Sequence, residues 1–342
     1  MNLELPILAH EQSPPPFQWE QWYKSIGGRN ITIPEVQHYL HAIFNEQYPA
    51  MEGIPATVQQ ILQPDIAAQS IKEKALQLGA DLVGICAIEP QDIYQGKQVN
   101  EHYAIALGQK MRWQPFQTVP SDEAAIECLR IYHSLGDIVL KLAEHIRALG
   151  WHCTVEHPIG DTNVLHIPIA LKAGFGELGR HGSIINPRIG PLFRIGCILT
   201  SMPLALDAPI NAGIAQFCDN CKACRIYCPA DAIPDERNPL AGKDHLGNDR
   251  YTVDTGKCFP YFGKHHYCSA CLPVCAYNHK EWAFEPNIPT ELFPTIAIAP
   301  PPPPTDAVPD NEKHPYPHLR RQEPNPWEMK RAKKYIKNGI RG

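Results

Sequence analysis

Between residues 68 and 200 the order of apolar and polar positions is regular enough to predict elements. IKEKALQLGADLVGICAIEP places Ile71, Ala75 and Leu78 on one helical face, stops at Gly79 and continues as a strand from Asp81 to Ile88, an αβ unit. HYAIALGQKM (102–111) reads as a second strand whose Gln and Lys put polar groups at a strand tip, where sites tend to form. The clearest helix starts at Ser121 as N-cap, carries Asp122 and Glu123 in its first turn and closes at Gly150. Cys128, Leu129, Ile131, Leu135, Ile138, Val139, Leu142, Ile146 and Leu149 form its buried stripe. Tyr132 lies on or beside that stripe, and by pattern alone it is a packed core tyrosine. Residues 151–160 read as strand and turn, and FRIGCILT (193–200) as a buried strand.

Between the last two strands the pattern breaks. Gly174, Gly176, Gly179, Gly182 and Gly190 crowd a segment crossed by Pro187 and Pro191, so the backbone turns sharply or approaches something closely. No G-x-G-x-x-G sits between a strand and a helix, which excludes a dinucleotide fingerprint, and no P-loop fits. A large flat cofactor cradled by main chain matches better, with Gly174, Gly176, Gly182 and Ser183 as its contacts. Glu177 and Arg180 are either a surface pair worth little or charges aimed into a site.

The densest chemistry follows. Cys218, Cys221, Cys224 and Cys228 before Pro229 form the C-x2-C-x2-C-x3-C-P run of two-cluster ferredoxins, in which the fourth cysteine serves the other cluster. Cys258, Cys268, Cys271 and Cys275 answer it. Exchanging the outlying ligands assigns Cys218, Cys221, Cys224 and Cys275 to one [4Fe–4S] cluster and Cys228, Cys258, Cys268 and Cys271 to the other. Structural zinc or disulfides are the competing readings, but four cysteines in eleven residues followed by proline fit zinc poorly.

The ends carry less. Residues 1–65 have weak periodicity, Pro14 to Pro16 and several aromatics, which suggests an irregular arm. Residues 284–342 are Pro-rich, with an unbroken run from Pro300 to Pro304 and a basic end, and suggest an extended tail. The 342 residues carry a formal charge of −5 with scattered basic groups, so no nucleic-acid footprint is present. Twelve cysteines, no charged-then-apolar leader and no long apolar run point to a soluble, cytoplasmic protein.

IKEKALQLGADLVGI, LAEHIRALGW, IPIALKAGFGELGRHGSIINPRIGP and the paired cysteine motifs together resemble the corrinoid- and iron–sulfur-dependent reductive dehalogenases, with the epoxyqueuosine reductases as close relatives. The likeness covers about residues 68–280. It implies an α+β protein: a 1–65 arm, a nitroreductase-like cobalamin-binding core over 66–215, a ferredoxin-like module with two [4Fe–4S] clusters over 216–283, and the 284–342 tail. Cobalamin would be held base-off, and the chain has no D-x-H-x-x-G motif that would supply a histidine to cobalt. Electrons would pass from an external ferredoxin, flavodoxin or reductase through the Cys228 cluster to the Cys218 cluster and then to cobalt(I), which cleaves a carbon–halogen bond in a small organohalide.

The resemblance places Tyr132 as proton donor and Arg180 as the cation that holds the phenolate left behind. Asp161, one residue out of register with the aspartate of the epoxyqueuosine enzymes, is the other acid. His157 and His166 receive no role. The short gap from Cys258 to Cys268 resembles the dehalogenase pattern, whereas Ala276 after Cys275 departs from the family's proline. Two further readings stay open: reduction of another electrophile, such as an epoxide on a modified nucleoside, and a non-catalytic electron carrier.

Overall fold

The computed structural model describes residues 33–278 and 297–298; residues 1–32 of the expected arm and most of the expected Pro-rich tail lie outside them. Within the arm the expectation of irregular structure gives way to helix. Helix α1, Pro34–Ala42, starts on a proline, runs into a π turn at Ile43–Gln47 and is followed by a 3-10 turn at Pro49–Met51. Val36 and Ile43, seven residues apart and so on one face, are fully buried. Polar neighbours mask that periodicity in the sequence.

Helix α2, Pro64–Gln77, buries Ile71 and Ala75 and leads into strand β1, Leu82–Ala87. Strand β2, Tyr103–Lys110, follows, and then helix α3, Asp122–Ala148, whose N-cap Ser121 accepts the Ala124 N–H at 3.3 Å. At 27 residues α3 is about 40 Å long, at about 1.5 Å per residue. Strand β3 is Cys153–Glu156 and helix α4 is His166–Lys172. A small ribbon of β4 (Glu177–Leu178) and β5 (Ile184–Ile185) precedes strand β6, Phe193–Thr200.

The main sheet has the order β3-β6-β2-β1-β9, with every pair antiparallel; β9 is Ala297–Ile298 and pairs with Leu82 and Val83. Helices α2 and α3 cover one face, where Val83, Ile105, Leu107 and Ile198 meet Leu135, Val139 and Leu142. Helix α4 covers the other, where Ala104, Ala106, Cys197 and Leu199 meet Ile169 and Leu171. Burial on both faces is why these strands read as nearly continuous apolar runs and not as alternating ones. Strand β6 begins and ends where the apolar pattern predicts.

Docking of the arm on α3 depends on one close approach. Gln47 Nε2 donates to the His133 carbonyl at 2.8 Å and to Asp137 Oδ1 at 2.6 Å, and Gln47 Oε1 lies 2.9 Å from His157 Nε2. These groups cross α3 at Gly136, where a Cβ would come within 2.4 Å of His157 Nε2. Any side chain there would separate α1 from the sheet.

The cysteine-rich part is short helices and turns: α5 (Ile214–Cys221), α6 (Ala223–Ile226), the hairpin β7 (Asn238–Lys243) with β8 (Asp249–Arg250), and α7 (Thr255–Lys264), capped by the Asp254 side chain. It packs against the N-terminal half of α3, with Ala270 and Leu272 in the same apolar cluster as Phe116, Ile131 and Leu192.

Candidate functional site

Two of the predicted site residues turn out to be scaffolding. Glu177 is fully buried, and its carboxylate accepts the backbone N–H groups of Ala212, Ile214 at 3.2 Å and Ala215 at 2.9 Å, which satisfies the first turn of α5. Arg180, 1 % exposed, works at the other end. Its Nε and Nη2 donate to the Cys218 carbonyl at 3.1 and 2.7 Å, Nη2 also to the Asp219 carbonyl at 3.3 Å and the Tyr251 hydroxyl at 3.0 Å, and Nη1 to the Pro234 carbonyl at 2.9 Å. The guanidinium lies 4.0 Å from the Tyr251 ring centroid, and that of Arg237 lies 4.7 Å from it. Arg180 is therefore not the cation beside Tyr132, because its donors are directed to carbonyls of the loops that carry the cysteines. Nor is it a surface partner of Glu177.

The cation beside Tyr132 is Arg194 on β6. Its Cζ stands 5.1 Å from the Tyr132 ring centroid, and its Nη2 donates to Cys128 Sγ at 3.0 Å, one turn before Tyr132 on α3. Burial opposes the charge on Arg194, but the facing Tyr132, Cys128 and Cys271 bind its proton more tightly than usual. Among the described residues its enclosed Nε has no hydrogen-bond partner, and neither has Oε1 of Gln109, the residue opposite it in the β2–β6 register. The signal for Arg194 was present in the sequence: a lone charge in an apolar strand, at an alternation position facing α3. The expected strand-tip site at Gln109 falls in the same place.

Tyr132 packs on the apolar cluster of Ala124, Cys128, Leu129 and Ile131, and Arg194 beside it is also within electrostatic reach of Cys271. Asp161 has a different setting. Its side chain is 80 % exposed and forms an ion pair with Lys97 at 2.7 Å. His157 is buried and His166 half-buried, and desolvation pushes both imidazoles down to about 4, so they are neutral parts of the structure.

The eight cysteines of the two motifs lie near one another in the structure. Cys218, Cys221, Cys224 and Cys275 line one pocket, together with Arg180, His181, Phe217 and Tyr277. Cys258, Cys268 and Cys271 interact electrostatically with one another and with Cys228. Burial pushes Cys218 and Cys268 up to about 12, so as free thiols they hold their protons, and ligation to iron would release them. Among the described residues no three His, Cys, Asp or Glu side chains converge on a point that could hold a single ion. Four thiols around a pocket suit a cluster better than a lone zinc.

The main-chain residues expected to cradle a cofactor divide. Gly174 and Gly176 are buried: Gly174 donates to the Leu171 carbonyl at 3.1 Å to close α4, and a Cβ on Gly176 would meet the Ile185 carbonyl at 2.1 Å. Their conformations serve the fold. Gly182 and Ser183 lie on an accessible turn.

The chain is homologous to reductases of two related kinds, although no protein-family model matches it. A tetrachloroethene reductive dehalogenase of Desulfitobacterium hafniense is 30 % identical over 212 residues, 59 % of this chain and 38 % of the relative. An epoxyqueuosine reductase of Salmonella typhimurium is 26 % identical over 264 residues, 62 % of this chain and 64 % of the relative. The solved structure of a reductive dehalogenase described for B12-dependent dehalogenation superposes with a TM-score of 0.66 and 26 % identity, covering 75 % of this chain and 39 % of that one. The chain thus spans about two fifths of the dehalogenases it matches. Among the described residues no helix is long and apolar enough to cross a membrane.

Proposed function

We propose that the chain is a corrinoid- and iron–sulfur-dependent reductase that cleaves carbon–halogen bonds. The observation that carries this reading is the meeting of Tyr132 and Arg194, with Arg194 also within electrostatic reach of Cys271, which brings a proton donor, a cation and a cysteine of the second quartet near one another. Reductive cleavage consumes two electrons and one proton, replaces the carbon–halogen bond by carbon–hydrogen and releases halide. The site has residues suited to each delivery.

Cys218, Cys221, Cys224 and Cys275 would hold one [4Fe–4S] cluster, and Cys228, Cys258, Cys268 and Cys271 the other. Together they would pass single electrons from an external donor, with Cys271 of the second quartet within electrostatic reach of Arg194. A corrinoid, when bound, would supply a strongly reducing, nucleophilic cobalt centre. The enclosed Arg194 Nε and Gln109 Oε1, which have no hydrogen-bond partner among the described residues, fit such a group, since Arg194 lies beside Tyr132 and Gln109 opposite Arg194. Gly182 and Ser183 remain as contacts for it, and Gly174 and Gly176 do not. Tyr132 would give its hydroxyl proton to carbon, and Arg194 would hold the phenolate that remains.

Epoxyqueuosine-reductase-like reduction is the second reading, favoured by the greater share of that relative which the chain covers. The exposed ion pair of Asp161 counts against it as the acid. The test is anaerobic reconstitution with iron, sulfide and hydroxocobalamin, followed by a halide-release screen over aromatic and aliphatic organohalides. Retained corrinoid with released halide is expected. Protein that binds both cofactors and releases no halide, but reduces an epoxide, would move the function to the second reading.

A further inference from the structure

His181 lines the same pocket as Cys218, Cys221, Cys224 and Cys275 and is only 7 % exposed. Its Nδ1 accepts the Ser183 backbone N–H at 3.2 Å. A ring nitrogen that accepts a backbone donor carries no proton, so the neutral imidazole bears its hydrogen on Nε2. That Nε2 is buried and has no hydrogen-bond partner among the described residues. The ring is held in place, since a Cβ on Gly179 would lie 3.0 Å from its Cε1. An enclosed donor without an acceptor is costly to leave unmet. The acceptors that such a pocket offers, once filled, are sulfurs.

We propose that His181 donates its Nε2–H to a sulfur of the cluster held by Cys218, Cys221, Cys224 and Cys275 and thereby raises that cluster's reduction potential. A hydrogen bond to sulfur draws electron density from the cluster and stabilises its reduced, more negative form. Arg180, although it lines the same pocket, directs its donors to backbone carbonyls and leaves this role to His181. The inference rests on the cluster reading above.

The test is an EPR-monitored redox titration of the full, anaerobically reconstituted chain. In His181→Leu one of two cluster potentials should fall and the other stay, whereas His181→Gln, which keeps an amide N–H at similar reach, should restore most of the difference. If the Leu variant loses iron, the wild type decides: with ¹⁵N-histidine incorporated, pulsed EPR of the reduced protein should reveal a histidine nitrogen coupling that is absent from His181→Gln. Assembled clusters with unmoved potentials in the Leu variant, or no such coupling in the wild type, overturn the proposal alone. Wild-type protein that assembles no cluster overturns the proposal and the cluster reading together.

Discussion

Glu177 and Arg180, three residues apart on one short stretch, hold opposite ends of the same helix. The carboxylate accepts the first N–H groups of α5 and the guanidinium donates to the carbonyls of Cys218 and Asp219 near its end. Each charge opposes the partial charge of the helix end it meets, which holds in place the segment that bears Cys218 and Cys221.

Arg180→Met should accordingly destabilise the protein by about 3–5 kcal/mol, because several carbonyls lose a buried charged donor at once. Denaturant unfolding of the cluster-free chain measures this. A cost below about 1 kcal/mol would mean that α5 is held by packing alone.

Replacing Cys275 or Cys268 by serine separates the two quartets. Wild-type protein should bind about eight irons and each variant about four, counted by iron assay after anaerobic reconstitution. Loss of all iron in Cys275→Ser alone would mean that the Cys268 quartet cannot assemble by itself.

Tyr132→Phe removes the hydroxyl and leaves the ring under Arg194. Turnover should fall by about 10²–10⁴ with corrinoid still bound, read from initial rates and the absorption spectrum. Asp161→Asn should leave the rate unchanged, and a comparable fall there would transfer the acid role to Asp161.

Arg194→Met should slow turnover as strongly as Tyr132→Phe, and the double variant should be little slower than either, since both side chains would act on one proton transfer. Multiplicative losses would separate their roles.

His157 and His166 give a pH dependence of definite sign. Their folded values near 4 lie below the unfolded value of about 6.5, so between these limits the unfolded chain binds more protons. Their contribution is complete above about pH 6.5 and is lost as pH falls toward 4. Chemical denaturation of the cluster-free chain should report lower stability at pH 5 than at pH 7, with a smaller difference in His157→Gln.

Local pattern alone determined much of this protein. The strands and the long helix are written in runs of apolar residues, because burying both faces of a sheet or one stripe of a helix demands them. The two cysteine quartets are written in spacing, because a chain can wrap a cluster only in certain steps. The arm was less legible, since Val36 and Ile43 are buried by a partner helix far away in sequence.

What only the tertiary structure decided is which charge meets which partner. Arg180 lies in the motif that drew attention and Arg194 in an apolar strand. Strand register, however, carries Arg194 to Tyr132, while the ribbon of β4 and β5 carries Arg180 to α5. The same holds for Cys271, which comes within reach of Arg194 as the cysteine-rich part packs on α3 through Ala270 and Leu272. Such contacts join segments more than a hundred residues apart in some cases, and no local periodicity records them.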